Sequence, residues 1–170
     1  MDEMFEVVNR DGETIGHASR SAVHGDPSLL HKVVHVLVFN DRGEILLQKR
    51  SMHKDVAPGK WDTSVGGHVA AGEDIRSAAL RETAEELGIA PADIAFLYSY
   101  VYSDRHESEL VHTYRCLHSG PFSTNEEEIS EVRFWTLDSV ERALQSGVFS
   151  GHFAAEFGAY RSYSEREDSV

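Results

Sequence analysis

The sequence predicts one mixed α/β (α+β) domain, and three observations carry that reading. Short β-branched and aromatic runs alternate with segments of helical periodicity. No internal repeat or Pro/Gly/Ser-rich linker divides the chain. A length of 170 residues is enough to bury one core without covalent staples. The domain is expected over residues 1–162, with residues 163–170 as a polar, frayed tail.

Each element has a local reason. Residues 6–8 and 14–18 flank Asp11 and Gly12 and read as a β-hairpin. Residues 32–39, rich in valine, and 44–49 flank Asn40 to Gly43 and read as a second hairpin. Residues 51–62 lack periodicity and hold Pro58 and Gly59, so they form a loop. In residues 74–87, Ile75, Ala79, Leu80, Ala84 and Leu87 recur at helical spacing, and Gly88 ends the helix. Residues 94–102 and 110–117 are strands joined by a loop at 103–109, and residues 132–137 form another strand. Asp138 caps a short helix running to about Gln145, and residues 152–160 form the last helix. Phe149, Phe153 and Phe157 lie at helical spacing there, facing the core or a second copy in a homodimer, with core the preferred reading.

Composition excludes several functions. A formal charge of −13 opposes binding of a nucleic-acid polymer, which needs a basic surface. A protein so acidic must import positive charge to handle phosphates, and a metal is the obvious source. No apolar run approaches the roughly 20 residues that cross a bilayer. The first residues are acidic rather than signal-like, and Cys116 is the only cysteine, so no internal disulfide exists. These features suit a cytoplasmic protein.

The chemistry is concentrated from Gly67 onward, in GHVAAGEDIRSAALRETAEELGI. Glu82, Glu85 and Glu86 stand at i, i+3 and i+4, so a helix sets all three carboxylates on one side. Like charges so spaced repel, whereas a hard divalent cation wants such oxygen ligands. A solvated acidic face is the plain alternative. Glycine at 67, then Glu73, Arg81 and Gly88 in fixed register, weigh against it.

This segment resembles the Nudix box, with every charged and glycine position filled and only Thr83 standing where an aliphatic residue is usual. The resemblance implies a Nudix fold, with a mixed β-sheet sandwiched between helices, and hydrolysis of a diphosphate linkage in a nucleoside-diphosphate-X or other organic diphosphate. It implies Mg²⁺ or Mn²⁺ held by Glu82, Glu85 and Glu86, with the Gly67 backbone approaching the ion. Arg81 is expected to pair with Glu73 and fix the loop before the helix, although a plain surface ion pair would be worth only about 0–1 kcal/mol. The proton acceptor is expected to be Glu86, with Glu127 or Glu128 as alternatives. Arg50, Lys54 and Lys60 are candidate phosphate clamps, against a reading as solvated loop cations. Trp61 reads as a core residue sooner than a pocket wall.

A second resemblance spans residues 3–144. His24 and His31, Arg50 and Lys54, Pro58 and Gly59 with Trp61, Gly67 and His68, and Glu107 and Glu109 are similar to the isopentenyl diphosphate isomerase branch of the superfamily. It implies a possible second divalent metal held by His24, His31, His68, Glu107 and Glu109; imidazoles mixed with carboxylates suit Mn, Zn or Fe. The plain alternative is that ten histidines are mostly surface groups or hydrogen-bonded core groups. The isomerases place a catalytic cysteine where this chain has Gly66, and they carry a degraded Nudix box, whereas here the box is intact. Both departures point to hydrolysis on an isomerase-like scaffold. An isomerase with another acid, or a non-catalytic diphosphate-binding sensor, remain the alternatives.

Overall fold

The computed structural model describes residues 2–170. Its strands are β1 (Met4–Val8), β2 (Thr14–Ser19), β3 (Leu30–Phe39), β4 (Ile45–Arg50) and β5 (Trp61–Asp62), followed by β6 (Val65–His68), β7 (Ala95–Ser103), β8 (Ser108–Leu117) and β9 (Ile129–Trp135). Its helices are α1 (Arg20–Val23), α2 (Ile75–Leu87), α3 (Leu137–Ala143) and α4 (Gly151–Glu167). No helix of the described residues is long and apolar enough to cross a membrane.

Strand β3 is the hub of a mixed sheet. It pairs with β8 in parallel from Leu30↔Ser108 to Phe39↔Leu117. It also pairs antiparallel with β6, from Val33↔His68 to Val36↔Val65, and meets β1 at Val7↔His31. The β1–β2 hairpin forms as the sequence predicts. The second predicted hairpin does not extend past its turn, because β3 and β4 pair only at Phe39↔Ile45. Beyond that pair β4 leaves for β9 and β5, while β3 takes β6 and β8. A turn signal fixes a reversal of direction, but the longer ladders lie with strands distant in sequence.

The period-two alternation of β3 sorts the core into two layers. Val34, Val36 and Val38 face α2 with Leu46, Ala78, Ala79 and Leu87. Leu37 and Phe39 face the other way, with Ile45, Leu47, Trp61, Val140 from α3, and Phe153 and Phe157 from α4. The sheet is therefore sandwiched between helices, and the phenylalanine stripe of the last helix is core.

Several boundaries differ from the sequence expectation. Strand β8 starts at Ser108, so Glu109 lies in a strand rather than a loop. Helix α3 is capped by Thr136, whose side chain accepts from the Ser139 amide, and Asp138 sits inside the first turn. Helix α4 runs to Glu167, through most of the segment expected to fray. Elements α1, β5 and β6 had no clear sequence signal.

Helix α4 is tied to the sheet by a buried polar contact. Glu156 accepts from His35 Nδ1 at 2.7 Å, Tyr98 at 2.5 Å, Tyr100 at 2.9 Å and Thr113 at 3.0 Å. Burial opposes both charges, but their mutual attraction and hydrogen bond outweigh it, holding His35 above its ordinary 6.5 and Glu156 below 4.5.

Two outcomes follow. The ion pair contributes fully between pH 4.5 and 6.5, fading in acid as Glu156 protonates and in base as His35 loses its proton. Glu156→Gln therefore lowers the melting temperature most inside that window and flattens its pH dependence; an unchanged pH profile contradicts the pairing. Thr136→Ala costs about 1 kcal/mol in urea unfolding, and Asp138→Ala costs less; the reverse order would restore Asp138 as the cap.

Candidate active site

The site is built where α2 packs on β6. Asp74 caps the helix by accepting from the Ser77 amide at 3.0 Å, and Gly88 closes it with a left-handed φ of 65°. Within this frame Arg81 is the brace. Its guanidinium grips Glu73 through two bonds of 2.8 and 2.9 Å and donates to the His68 carbonyl at 3.0 Å. It also reaches Glu82 at 2.7 Å and Glu85 at 3.3 Å. Glu73 in turn accepts from the Ala70 amide at 3.0 Å, so both ends of the loop between β6 and α2 are fixed. The Arg81 hydrogen bond holds the Glu73 carboxyl below its ordinary value.

Two of the three helix carboxylates, Glu82 and Glu86, meet the strand at its two glycines. Glu82 lies against Gly67, where any Cβ would collide with the carboxylate. Glu86 accepts from the Gly66 amide at 3.2 Å and from Gln48 Nε2 at 2.8 Å, both on Oε2. Glu86 keeps an opening to the cleft, yet its carboxyl lies deep enough that desolvation pushes it up to about 8. Burial raises Glu82 as well, and neighbouring carboxylates add to both shifts. Glu85 stays largely exposed at the rim. Glu82 and Glu86 bring hard oxygen donors beside Gly67 and Gly66, with Glu85 at the rim, and the chemistry of that donor set suits a divalent cation.

The same cleft, of about 640 Å³, continues to a second cluster. His24 from the end of α1, His31 from β3 and His68 from β6 form one close set; His31, Glu107 and Glu109 form another. His24 and His68 approach with Nε2 atoms 2.9 Å apart, and Phe5 stacks on His68 at 4.7 Å. Burial drives His68 down to about 2, so it is a neutral imidazole, and pushes Glu109 up to about 7. Among the described residues, His31 Nε2 and Glu109 Oε2 are buried with no hydrogen-bond partner. Orphaned donor and acceptor atoms beside neutral imidazoles suit a borderline metal ion. His152 from α4 completes this wall, its Nε2 3.4 Å from Glu107 and 3.7 Å from Glu109.

Arg50 and Lys54 also line the cleft, Arg50 held by the Val56 carbonyl at 2.8 Å and Asp62 at 3.4 Å, and Lys54 3.6 Å from Glu128. Lys60 is not among the cleft residues: its ammonium turns away and donates to the Gly147 carbonyl, so it is no phosphate clamp in this structure. Glu128 lines the cleft and Glu127 does not. Trp61 is core, flanked by Arg133 and Trp135. Cys116 is buried in the α2-side layer, its thiol pushed up to about 11. Sequence reasoning missed Gln48, His35, His152 and Glu156. Two of them carried a signal: His35 interrupts an apolar strand, and Glu156 interrupts the phenylalanine stripe.

A glutamate-rich helix braced by arginine over a glycine strand defines a class, and comparison agrees with it. Residues 29–157 match the family model described as NUDIX domain, and the chain belongs to the Nudix hydrolase family. It is 35% identical over 138 residues to the uncharacterized Nudix hydrolase YfcD of Salmonella typhi, covering 81% of this chain and 74% of that protein. It is also 33% identical over 164 residues to the isopentenyl-diphosphate Delta-isomerase of Streptomyces avermitilis, covering 93% of this chain and 83% of that one. The crystal structure of DR0079 from Deinococcus radiodurans superposes with a TM-score of 0.80 at 23% identity, covering 92% and 98% of the two chains.

Gly67→Ala should displace Glu82 and lower turnover roughly 100-fold, as small misplacements of reacting groups do. A titration with Mg²⁺ would show weakened binding in the same protein. Unchanged affinity and rate would mean that Glu82 does not need the cradle.

Proposed function

We propose that the chain is a metal-dependent diphosphatase, cleaving the diphosphate linkage of a nucleoside-diphosphate-X or other small organic diphosphate. The observation that carries this is the contact of Glu82 with Gly67 and of Glu86 with the Gly66 amide, with Glu85 at the rim and Arg81 and Glu73 fixing the loop between. Those three carboxylates and the Gly67 backbone would hold Mg²⁺ or Mn²⁺. Such an ion, when bound, neutralises phosphate charge and makes water more acidic. Arg50 and Lys54 line the same cleft and would grip the phosphates.

Glu86 is the group assigned to take a proton from the attacking water. Both of its hydrogen bonds fall on Oε2, which leaves Oε1 for the reaction. Glu128, at the rim beside Lys54, is the second choice. The five-residue His/Glu cluster is assigned a second divalent ion, on the strength of its two orphaned buried atoms.

The isomerase reading draws on the same cluster, but Gly66 supplies no thiol. Cys116 cannot replace it from the opposite side of the sheet, with its proton held by burial. A sensor would be expected to have lost the helix carboxylates, which this chain keeps.

A panel of organic diphosphates with Mg²⁺ or Mn²⁺, followed by detection of the phosphomonoester or phosphate products, tests the reading. Glu86→Gln should reduce kcat roughly 100- to 10,000-fold for whichever compound is turned over. Intact metal binding with no turnover of any compound would favour the sensor, and conversion of isopentenyl diphosphate to its allylic isomer would favour the isomerase.

A further inference from the structure

His35 is a buried imidazole with one edge in the cleft. It stands on the α4-facing side of β3, only 5% exposed, and lines the same cavity as Glu86 and Arg50. Its Nδ1 is committed to Glu156 at 2.7 Å. Glu156 takes further hydrogen bonds from two tyrosines and Thr113, and such a carboxylate stays ionised, so the ring is the donor at Nδ1 and its orientation is fixed.

The opposite edge of the ring faces Gly66. A Cβ on Gly66 would stand 3.3 Å from His35 Cδ2 and 3.5 Å from Nε2, filling the gap through which the imidazole meets the cleft. The Gly66 amide meanwhile donates to Glu86 at 3.2 Å. The His35 imidazole and the Glu86 carboxylate thus flank a single residue. A carboxylate-fixed imidazole whose second nitrogen faces a phosphate cleft has the geometry of a proton donor.

We propose that His35, oriented by Glu156 and uncovered by Gly66, is a catalytic acid for the leaving phosphate. The inference rests on the diphosphatase reading. A water oxygen bonds to one phosphorus as the bridging P–O bond breaks. The water's proton passes to Glu86, and the Nε2 proton of His35 passes to the released phosphate oxygen. Solvent exchange then restores both groups. Glu156 acts through His35 and is a positioning residue.

The test uses the full chain with Mg²⁺ and the non-hydrolysable analogue methylenediphosphonate. In ¹⁵N-histidine spectra the His35 Nε2 resonance should move on addition of the analogue. For a compound turned over in the screen, His35→Gln should lower kcat roughly 100-fold with KM little changed. It should also abolish the fall in kcat at high pH. Glu156, Tyr98, Tyr100, Glu109 and Asp62 surround the ring and remain in the variant, so loss of that limb reports on His35 itself. Gly66→Ala, which covers the imidazole edge while leaving its bond to Glu156, should give the same kcat loss. That variant decides the matter if His35→Gln does not fold.

A wild type that turns over a diphosphate, with both variants folded and retaining its rate and pH profile, overturns the His35 role and leaves the diphosphatase standing. An unmoved Nε2 resonance under saturating analogue does the same. A wild type that neither binds the analogue nor hydrolyses any diphosphate overturns both.

Discussion

The site depends on how closely α2 can approach β6, and two glycines set that distance. At Gly67 the Glu82 carboxylate occupies the space a side chain would take, and at Gly66 the backbone amide binds Glu86. Neither glycine has a positive φ, so what they supply here is room, not an unusual backbone conformation. The rest of the machinery follows from that contact. Because the helix lies on the strand, Gln48 from β4 reaches Glu86, and Arg81 reaches the His68 carbonyl.

That close approach has an energetic consequence. It concentrates carboxylates where desolvation raises Glu82 and Glu86, and Arg81 alone cannot compensate them, being divided among Glu73, Glu82 and Glu85. The strain is local because the frame around it is rigid: the helix is capped at both ends, and its apolar face is packed with Ala78, Ala79 and Leu87. Carboxylates gathered by a packed scaffold around one shared arginine are the donor set the proposed cation would use.

How much of this could be read in advance depended on whether the cause was local. The α2 helix and its acidic face were legible because periodicity, cap and charge spacing all lie within a few turns. The β1–β2 hairpin was legible for the same reason. Strand β6 was not, since Gly66 and Gly67 are poor strand formers, and its strand character comes from pairing with β3. The β3–β4 pairing was misjudged because the turn at Asn40 to Gly43 is real, whereas the partners that win lie far along the chain. Lys60 shows the limit for single charges: sequence gives the ammonium but not the carbonyl it turns toward. The His35–Glu156 contact joins residues 121 positions apart, and only two polar interruptions of apolar patterns hinted at it.

Position 66 links these observations to the family's two kinds of chemistry. The isomerase-like pattern sets a thiol there, and the thiol must face the cleft to act. In this chain a Cβ at 66 would touch the edge of His35, 3.3 Å from Cδ2 and 3.5 Å from Nε2. On the proposed reading, glycine at 66 leaves the edge of His35 free, with the ring fixed from behind by Glu156. Position 66 lies two residues before His68 on β6, so both point to the same face of the strand, where the His/Glu cluster begins. On the proposed reading, the residue at this one strand position decides which proton-carrying group reaches the substrate.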